Sequence, residues 1–175
     1  MKNQLFLVLA LLLCGVCGNN AFANQYESFG DAIQYAMPLT ALGMSFSEKD
    51  PEGRMQFYKS FGATFGVCQT VKFSVNRTRP NGADRSFPSG HTSASFSSAT
   101  YIHQRYGIKK GRIAYFAAAF VGWTRIQANK HYVSDVVAGA ALGSLSSYIF
   151  TSNKDMSLGG YKDADSSGIN IQFRW

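Results

Sequence analysis

The chain has few cysteines, few acids and no long apolar run after its N-terminus, and each shortage removes a class of answer. Its three cysteines are Cys14, Cys17 and Cys68. The first two lie in an N-terminal apolar run. If that run is removed on export, one thiol remains and no intramolecular disulfide is possible. Cys68 sits among Phe65, Val67 and Val71 and reads as a small buried apolar residue. Asp and Glu number 10 against 17 Lys and Arg, a formal charge of +7. That balance favours anionic substrates or an anionic membrane surface. The basic residues are dispersed and no nucleic-acid motif accompanies them, so no nucleic-acid partner is expected. Clustered carboxylates and histidines of the kind that hold a catalytic metal are missing, so neither a metal nor a cofactor is expected. The mean hydropathy is −0.10. After the N-terminus no run reaches the roughly eighteen apolar residues of a membrane span. The best segment, Ile113 to Trp123, stops at Thr124 and Arg125. A soluble or peripherally membrane-associated protein is expected.

The N-terminus has the layout of a secretory leader. Met1-Lys2 is basic, Leu5 to Val16 is apolar, and Ala21-Phe22-Ala23 supplies a small-x-small site. Residues 1–23 are therefore expected to be a signal peptide, and the protein to be exported to the periplasm. A lipoprotein signal fits less well, because Leu13 and Val16 precede the two cysteines where a small residue is needed. A retained anchor is the other alternative. The leader holds Lys2 and no acid, so the mature chain keeps +6 of the +7. Residues 24–175 suit one domain, with a catalytic core at about 52–151 and no repeat or linker.

What is present is concentrated in three stretches: Lys72-x6-Arg79-Pro80, then Pro88-Ser89-Gly90-His91, then Thr124-Arg125-x5-His131-x3-Asp135. Any one alone is commonplace: a surface cation, a capping turn, a helix-surface ion pair. Together they supply what a phosphoryl transfer through a histidine needs. Negative charge on the phosphoryl oxygens must be held in the transition state. Lys72, Arg79 and Arg125 can hold it, the arginines by bidentate contact. Pro88-Ser89-Gly90 precedes an expected helix, whose first N–H groups form an anion site. Gly90 allows close approach of the backbone, and Ser89 can add a hydroxyl. His131 and Asp135 sit four apart, which on a helix places them on one face. A carboxylate there fixes the imidazole's tautomer and raises its basicity, so His131 is the expected nucleophile. His91 has no carboxylate at that spacing and is the expected general acid.

These stretches resemble the signature of the phosphatidic acid phosphatase type 2 superfamily, which includes bacterial non-specific acid phosphatases and vanadium haloperoxidases. Its pattern is Lys-x6-Arg-Pro, Pro-Ser-Gly-His and Ser-Arg-x5-His-x3-Asp. This chain departs once, with Thr124 in place of serine, and keeps the hydroxyl. The similarity extends through Arg79-Pro80-Asn81-Gly82, Ser86-Phe87-Pro88-Ser89-Gly90-His91-Thr92 and Ser134-Asp135-Val136-Val137-Ala138-Gly139, roughly the central half of the chain. The resemblance implies an all-helical fold, a phosphohistidine intermediate and no metal.

Apolar patterning gives five helical segments, at about Phe29 to Phe46, Glu52 to Val75, Gly90 to Tyr106, Gly111 to Ile126 and His131 to Thr151. The expected fold is all-α, a single bundle of about five to six helices. Phe57, Phe61 and Phe65 recur at helical spacing and read as core. His103 belongs to no motif. At the C-terminus Ile169, Ile171, Phe173 and Trp175 alternate with polar residues, which predicts a short terminal strand or extended arm packed on the bundle. The function expected is hydrolysis of a phosphate ester, either a lipid phosphate or a small phosphomonoester. The rivals are a phosphotransferase acting on lipid phosphates and a non-catalytic protein that binds an anionic head group. A haloperoxidase would need bound vanadate and a larger chain.

Overall fold

The computed structural model describes the backbone of residues 20–154, 156–162 and 167–173, and the side chains of residues 25–154. Of the expected leader, residues 1–19 lie outside the described residues. Five helices follow in order: α1 (Asn20–Ser47), α2 (Pro51–Val75), α3 (Gly90–Tyr106), α4 (Ile108–Gln127) and α5 (Val133–Phe150). The fold is all-α apart from a C-terminal hairpin. In it β1 (Met156–Lys162) pairs antiparallel with β2 (Ser167–Phe173), in a register that sets Met156 opposite Phe173. The expected terminal strand is therefore half of a pair, and its partner comes from a polar, glycine-containing stretch. The contacts of β1 and β2 are with each other.

Local chemistry explains most boundaries. The Asp50 side chain caps α2 by accepting from the Gly53 N–H at 2.9 Å, and Pro51 opens the helix where no N–H is needed. Asn76, at φ 41°, closes it, donating its N–H to the Lys72 carbonyl at 3.2 Å. Ser89 caps α3, and Gly107, at φ 88°, ends it. Two boundaries differ from expectation. α1 begins nine residues before Phe29, because nothing from Asn20 to Ser28 breaks a helix even though the stretch is too polar to show a period. α5 begins at Val133 instead of His131. The Asp135 carboxylate accepts the Tyr132 N–H at 2.9 Å and caps the helix from within, leaving His131 in the preceding loop.

α3 is the central helix and touches the other four. It packs against α5 through small residues. A Cβ on Gly139 would sit 2.5 Å from the Ser89 carbonyl oxygen, and one on Gly143 would overlap the Ser93 carbonyl. At this crossing the Ser147 hydroxyl donates to the Ser97 carbonyl (2.7 Å), and Thr64 Oγ1 on α2 donates to Ser97 Oγ (3.2 Å). The apolar core lies to either side, with Ala41, Phe57, Tyr101 and Ile102 in one cluster and Met37, Ala99 and Ala118 in another.

The expectation that no run reaches span length needs correction at one helix. Val133–Phe150 has 18 residues and a mean hydropathy of 1.3, and only 28% of it is buried. At ~1.5 Å per residue it reaches ~27 Å, close to the thickness of a bilayer's hydrocarbon core. Its serines and glycines interrupt the apolar pattern without adding charge, and Asp135 is its one charged residue.

At the end of the bundle away from the motifs, Arg105 makes two 2.7 Å hydrogen bonds to Asp50, with both side chains almost fully buried. Burial alone would push the Asp50 carboxyl up. The Arg105 hydrogen bonds and charge, with the Gly53 N–H and the Tyr106 hydroxyl, outweigh it and bring the group down to about 2. A carboxylate depressed on folding stabilises the native state above its ordinary value and loses that contribution as pH falls through the folded one. Stability should therefore drop between about pH 4 and about pH 2. Arg105→Ala leaves an unpaired buried carboxylate and should cost about 3–5 kcal/mol at neutral pH, measured by urea unfolding. A loss under about 1 kcal/mol would contradict this account of the pair.

Candidate active site

The 76–89 loop carries the first two motifs from α2 to α3 and is held by its own backbone. Ser86 N–H donates to the Arg77 carbonyl (2.6 Å) and Arg79 N–H to the Ala83 carbonyl (2.7 Å). The loop is then tied to the α4–α5 connection. Asn81 N–H donates to the Asn129 carbonyl (3.1 Å) and Ser89 N–H to the Asp135 carbonyl (2.9 Å). His131 N–H donates to the Arg125 carbonyl at 3.3 Å, which sets the histidine beside the end of α4. Three segments far apart in sequence thus meet at one end of the bundle.

They surround a cleft of about 590 Å³ lined by Gln69, Lys72, Arg79, Asp84, Arg85, Gly90, His91 and His131. Five of the eight expected site residues line it: Lys72, Arg79, Gly90, His91 and His131. Lys72 Nζ donates to the Arg85 carbonyl (2.9 Å) and Arg79 Nε to the Asp84 carbonyl (3.1 Å), so both cations are held at the rim. The first-turn N–H groups of α3 have no acceptor within the helix and add positive potential at Gly90. Ser89 is fully buried behind this turn. Its Oγ accepts from Thr92 Oγ1 at 2.9 Å and acts as the helix cap.

His131 is 3% exposed and is oriented through an intermediary. Its Nδ1 lies 3.8 Å from Asp135 Oδ2, too far for a direct hydrogen bond, and 3.4 Å from the Ser86 hydroxyl. Ser86 Oγ donates to Asp135 Oδ2 at 2.5 Å. Asp135 also accepts from Arg77 Nη1 (2.9 Å) and the Tyr132 N–H. Arg77 lies over the Tyr132 ring, 4.1 Å from its centroid. The direct His131–Asp135 contact that helical spacing implies is therefore replaced by a hydroxyl-bridged one, because His131 precedes the helix. Ser86 and Arg77 were not foreseen, although both lie within or beside the matching stretches. Burial, then the charges of Lys72 and Arg79, push the His131 imidazole down to about 3 against the opposing pull of Asp135. At neutral pH it therefore carries a free lone pair, as a nucleophile must.

Arg125 does not line this cleft. Its guanidinium, 2% exposed, donates from Nη1 to Asp31 Oδ1 (2.7 Å) and from Nη2 to the Glu27 carbonyl (2.7 Å), both on α1. Nη2 also donates to Thr124 Oγ1 (3.2 Å), so the hydroxyl kept at that position is used. His91 Nε2 lies 2.9 Å from the same Asp31 oxygen. Hence His91 does have a carboxylate partner, supplied from 60 residues upstream. Burial and Arg125 push the His91 imidazole down, and Asp31 opposes them. Burial also lowers Lys72.

A second cleft of about 560 Å³ adjoins the first and shares Gln69, Lys72, Gly90 and His91 with it. Its other walls are mostly apolar, with Tyr35, Pro38 and Leu39 from α1, Phe61 and Phe65 from α2, and Ala94 from α3. The α2 aromatics read as core are thus divided. Phe57 is buried in the core, Phe61 packs against that cluster and also lines the cleft, and Phe65 is exposed along the cleft. Among the described residues no cluster of three His, Cys, Asp or Glu side chains could hold a metal ion.

A family model described as the PAP2 superfamily matches residues 55–157. The Lipid A 1-phosphatase of Porphyromonas gingivalis is 32% identical over 135 residues, covering 73% of this chain and 30% of that protein. The chain therefore spans less than a third of that relative's length. The Lipid A 4'-phosphatase of Helicobacter pylori is 24% identical over 169 residues, covering 85% of each chain. The crystal structure of LpxE from Aquifex aeolicus superposes with a TM-score of 0.67 at 22% identity, covering 81% of this chain and 92% of that one. At that identity the likeness is one of fold.

Proposed function

The chain belongs to the phosphatidic acid phosphatase type 2 (PAP2) superfamily, and from that premise we propose that it is a phosphatase acting on a lipid phosphate through a phosphohistidine. The observation that carries the lipid part is the set of residues the two adjoining clefts share. Lys72, Gly90 and His91 line both the cationic space and the apolar one, so a substrate with a phosphate at one end and hydrocarbon at the other fits as a single molecule. The two related proteins named above are called lipid A phosphatases, which agrees with that class of substrate.

With Nδ1 of His131 turned to Ser86 and Asp135, Nε2 is the attacking atom. It forms the N–P bond as the P–O bond to the lipid breaks, and His91 gives its proton to the departing oxygen. Water then attacks phosphorus, His91 takes the water's proton, and phosphate leaves His131. Lys72, Arg79 and the first-turn N–H groups of α3 at Gly90 and His91 hold the phosphoryl oxygens, with Ser89 capping that turn from behind. Arg125, expected among them, stays on Asp31 and the Glu27 carbonyl and acts on the phosphoryl group through its charge. Ser86, Arg77 and Asp135 keep the imidazole in register. The chemistry runs on these side chains without a metal. The leader reading goes with this proposal: export and cleavage after Ala23 would put Asn24 at the mature N-terminus and leave Glu27 and Asp31 in the working protein.

The test is phosphate release by the purified chain from soluble monoesters and from lipid phosphates in detergent micelles. Lipid phosphates should be preferred by about tenfold or more in kcat/KM. Activity should survive EDTA, and vanadate should compete with substrate. Free phosphate should match substrate loss mole for mole, which a transferase would not give. EDTA inactivation reversed by a divalent ion would overturn the mechanism, and equal use of soluble esters would overturn the lipid assignment.

A further inference from the structure

We infer that Asp31 is a positioning residue for the general acid, holding His91 by Nε2 so that the proton on Nδ1 faces the leaving oxygen. This inference rests on His91 being the acid in the reaction proposed above. Asp31 lies on α1, outside the 55–157 stretch that the family model matches.

α1 is docked to deliver it. Gly30 sits where any side chain would overlap the Thr124 hydroxyl and the Arg125 guanidinium, so the α1 backbone approaches the end of α4 closely. Tyr26 meets Trp123 edge-on at 4.9 Å, Lys130 pairs with Glu27 at 3.0 Å, and Arg125 grips the Glu27 carbonyl. Asp31, which follows Gly30 one turn beyond Glu27, thereby puts one carboxylate oxygen 2.9 Å from His91 Nε2 and 2.7 Å from Arg125 Nη1. Arg125 fixes the carboxylate, and the carboxylate fixes the imidazole.

The charges around His91 make this contact matter. Lys72 on α2, Arg79 and Arg85 in the 76–89 loop, Arg125 on α4 and His131 face it or line the same cleft, and Asp84 is the other acid there. Cations and burial all disfavour the imidazolium. Asp31 supports it, and an acid that has lost its proton cannot protonate a leaving group. The arrangement parallels a carboxylate that orients a catalytic imidazole from its far nitrogen.

Asp31→Asn keeps the shape and the hydrogen-bond acceptor while removing the charge, so it is the informative variant. Without the carboxylate His91 holds its proton less well, so the alkaline limb of kcat/KM should move to lower pH. On an alkyl phosphate the loss should be about tenfold on the alkaline side and under about twofold on the acid side. On an aryl phosphate with a weakly basic leaving group both losses should be small, and Asp31→Glu should restore part of the profile. A uniform loss on all esters at all pH values would make Asp31 only a tether between helices and overturn the inference. Tighter vanadate binding with an unshifted profile would make it a plug in the phosphate site, and would also overturn it. Nitrogen NMR of His91 in the wild-type chain gives a reading that needs no variant to fold. Nε2 should stay protonated while Nδ1 titrates, and an unprotonated Nε2 at high pH would refute the assignment. If the wild-type chain releases phosphate from no ester, the phosphatase proposal fails, while the NMR reading still decides whether Asp31 holds His91.

Discussion

His131→Ala should lose roughly a thousandfold or more of phosphate release, on every ester alike. In the proposed mechanism this side chain supplies the nitrogen of the N–P bond, so no leaving group is good enough to bypass it. Its surroundings support the proposed role. Burial, with Lys72 and Arg79 nearby, keeps the imidazole neutral above about pH 3. The same cations then favour the incoming phosphate and hold its charge as it develops. Because Nδ1 sits against Ser86 and Asp135, Nε2 is the free nitrogen. Quenching the wild-type chain during turnover should trap a phosphoryl group that is lost in acid and stable in base, as a phosphohistidine is. The His131→Ala chain, checked for an unchanged melting temperature, should trap none. Labelling that persists in the variant, or activity within tenfold of wild type, would move the nucleophile elsewhere. Asp135→Asn should cost less, since Ser86 and the Tyr132 N–H still shape the loop.

The parts of this site legible in the sequence are those set by residue type at short range. Lys72 comes at the end of α2 because Asn76 stops the helix there, and Gly90-His91 open α3 because Ser89 caps it. Chemistry of this local kind can be read from neighbours in the chain. The contacts that orient the two histidines depend on tertiary placement instead. The His-x3-Asp spacing suggests a shared helix face, yet Asp135 spends one oxygen on the Tyr132 N–H, and that cap excludes His131 from the helix. Ser86 fills the gap from a loop 45 residues away. Asp31 reaches His91 only because Gly30 lets two helices touch, and no periodicity in α1 signals that contact. The same limit applies to fold boundaries. Residues 20–28 join α1 without an apolar pattern, and α5 reaches span length through small uncharged residues that an apolar count passes over.

His91→Ala should fail in a way that depends on the leaving group, and that dependence separates the two histidines. A general acid lowers the barrier by the proton it supplies, a contribution of roughly a hundredfold to ten-thousandfold when the departing alkoxide is strongly basic. An alkyl lipid phosphate is such a case, so its hydrolysis should fall by about that factor. An aryl phosphate leaves as a weak base and needs little help, so the first step should fall far less. Steady-state turnover alone would blur the contrast, because in the proposed reaction His91 is also the base that activates water in the second step. A pre-steady-state burst resolves this. With the aryl ester, His91→Ala should release aryl alcohol in a fast burst of about one equivalent per chain and then stall as the phosphoenzyme. The alkyl ester should give no burst. The structure adds a condition. Asp31 holds His91 from Nε2, and its own partner Arg125 stays in place when the imidazole is removed, so the variant should keep its fold and its phosphate affinity. If His91→Ala were equally impaired on both esters while His131→Ala tracked leaving-group basicity, the roles would be reversed. Nucleophilic attack would then come from His91 in the first turn of α3, and protonation from the histidine bridged to Asp135 by Ser86.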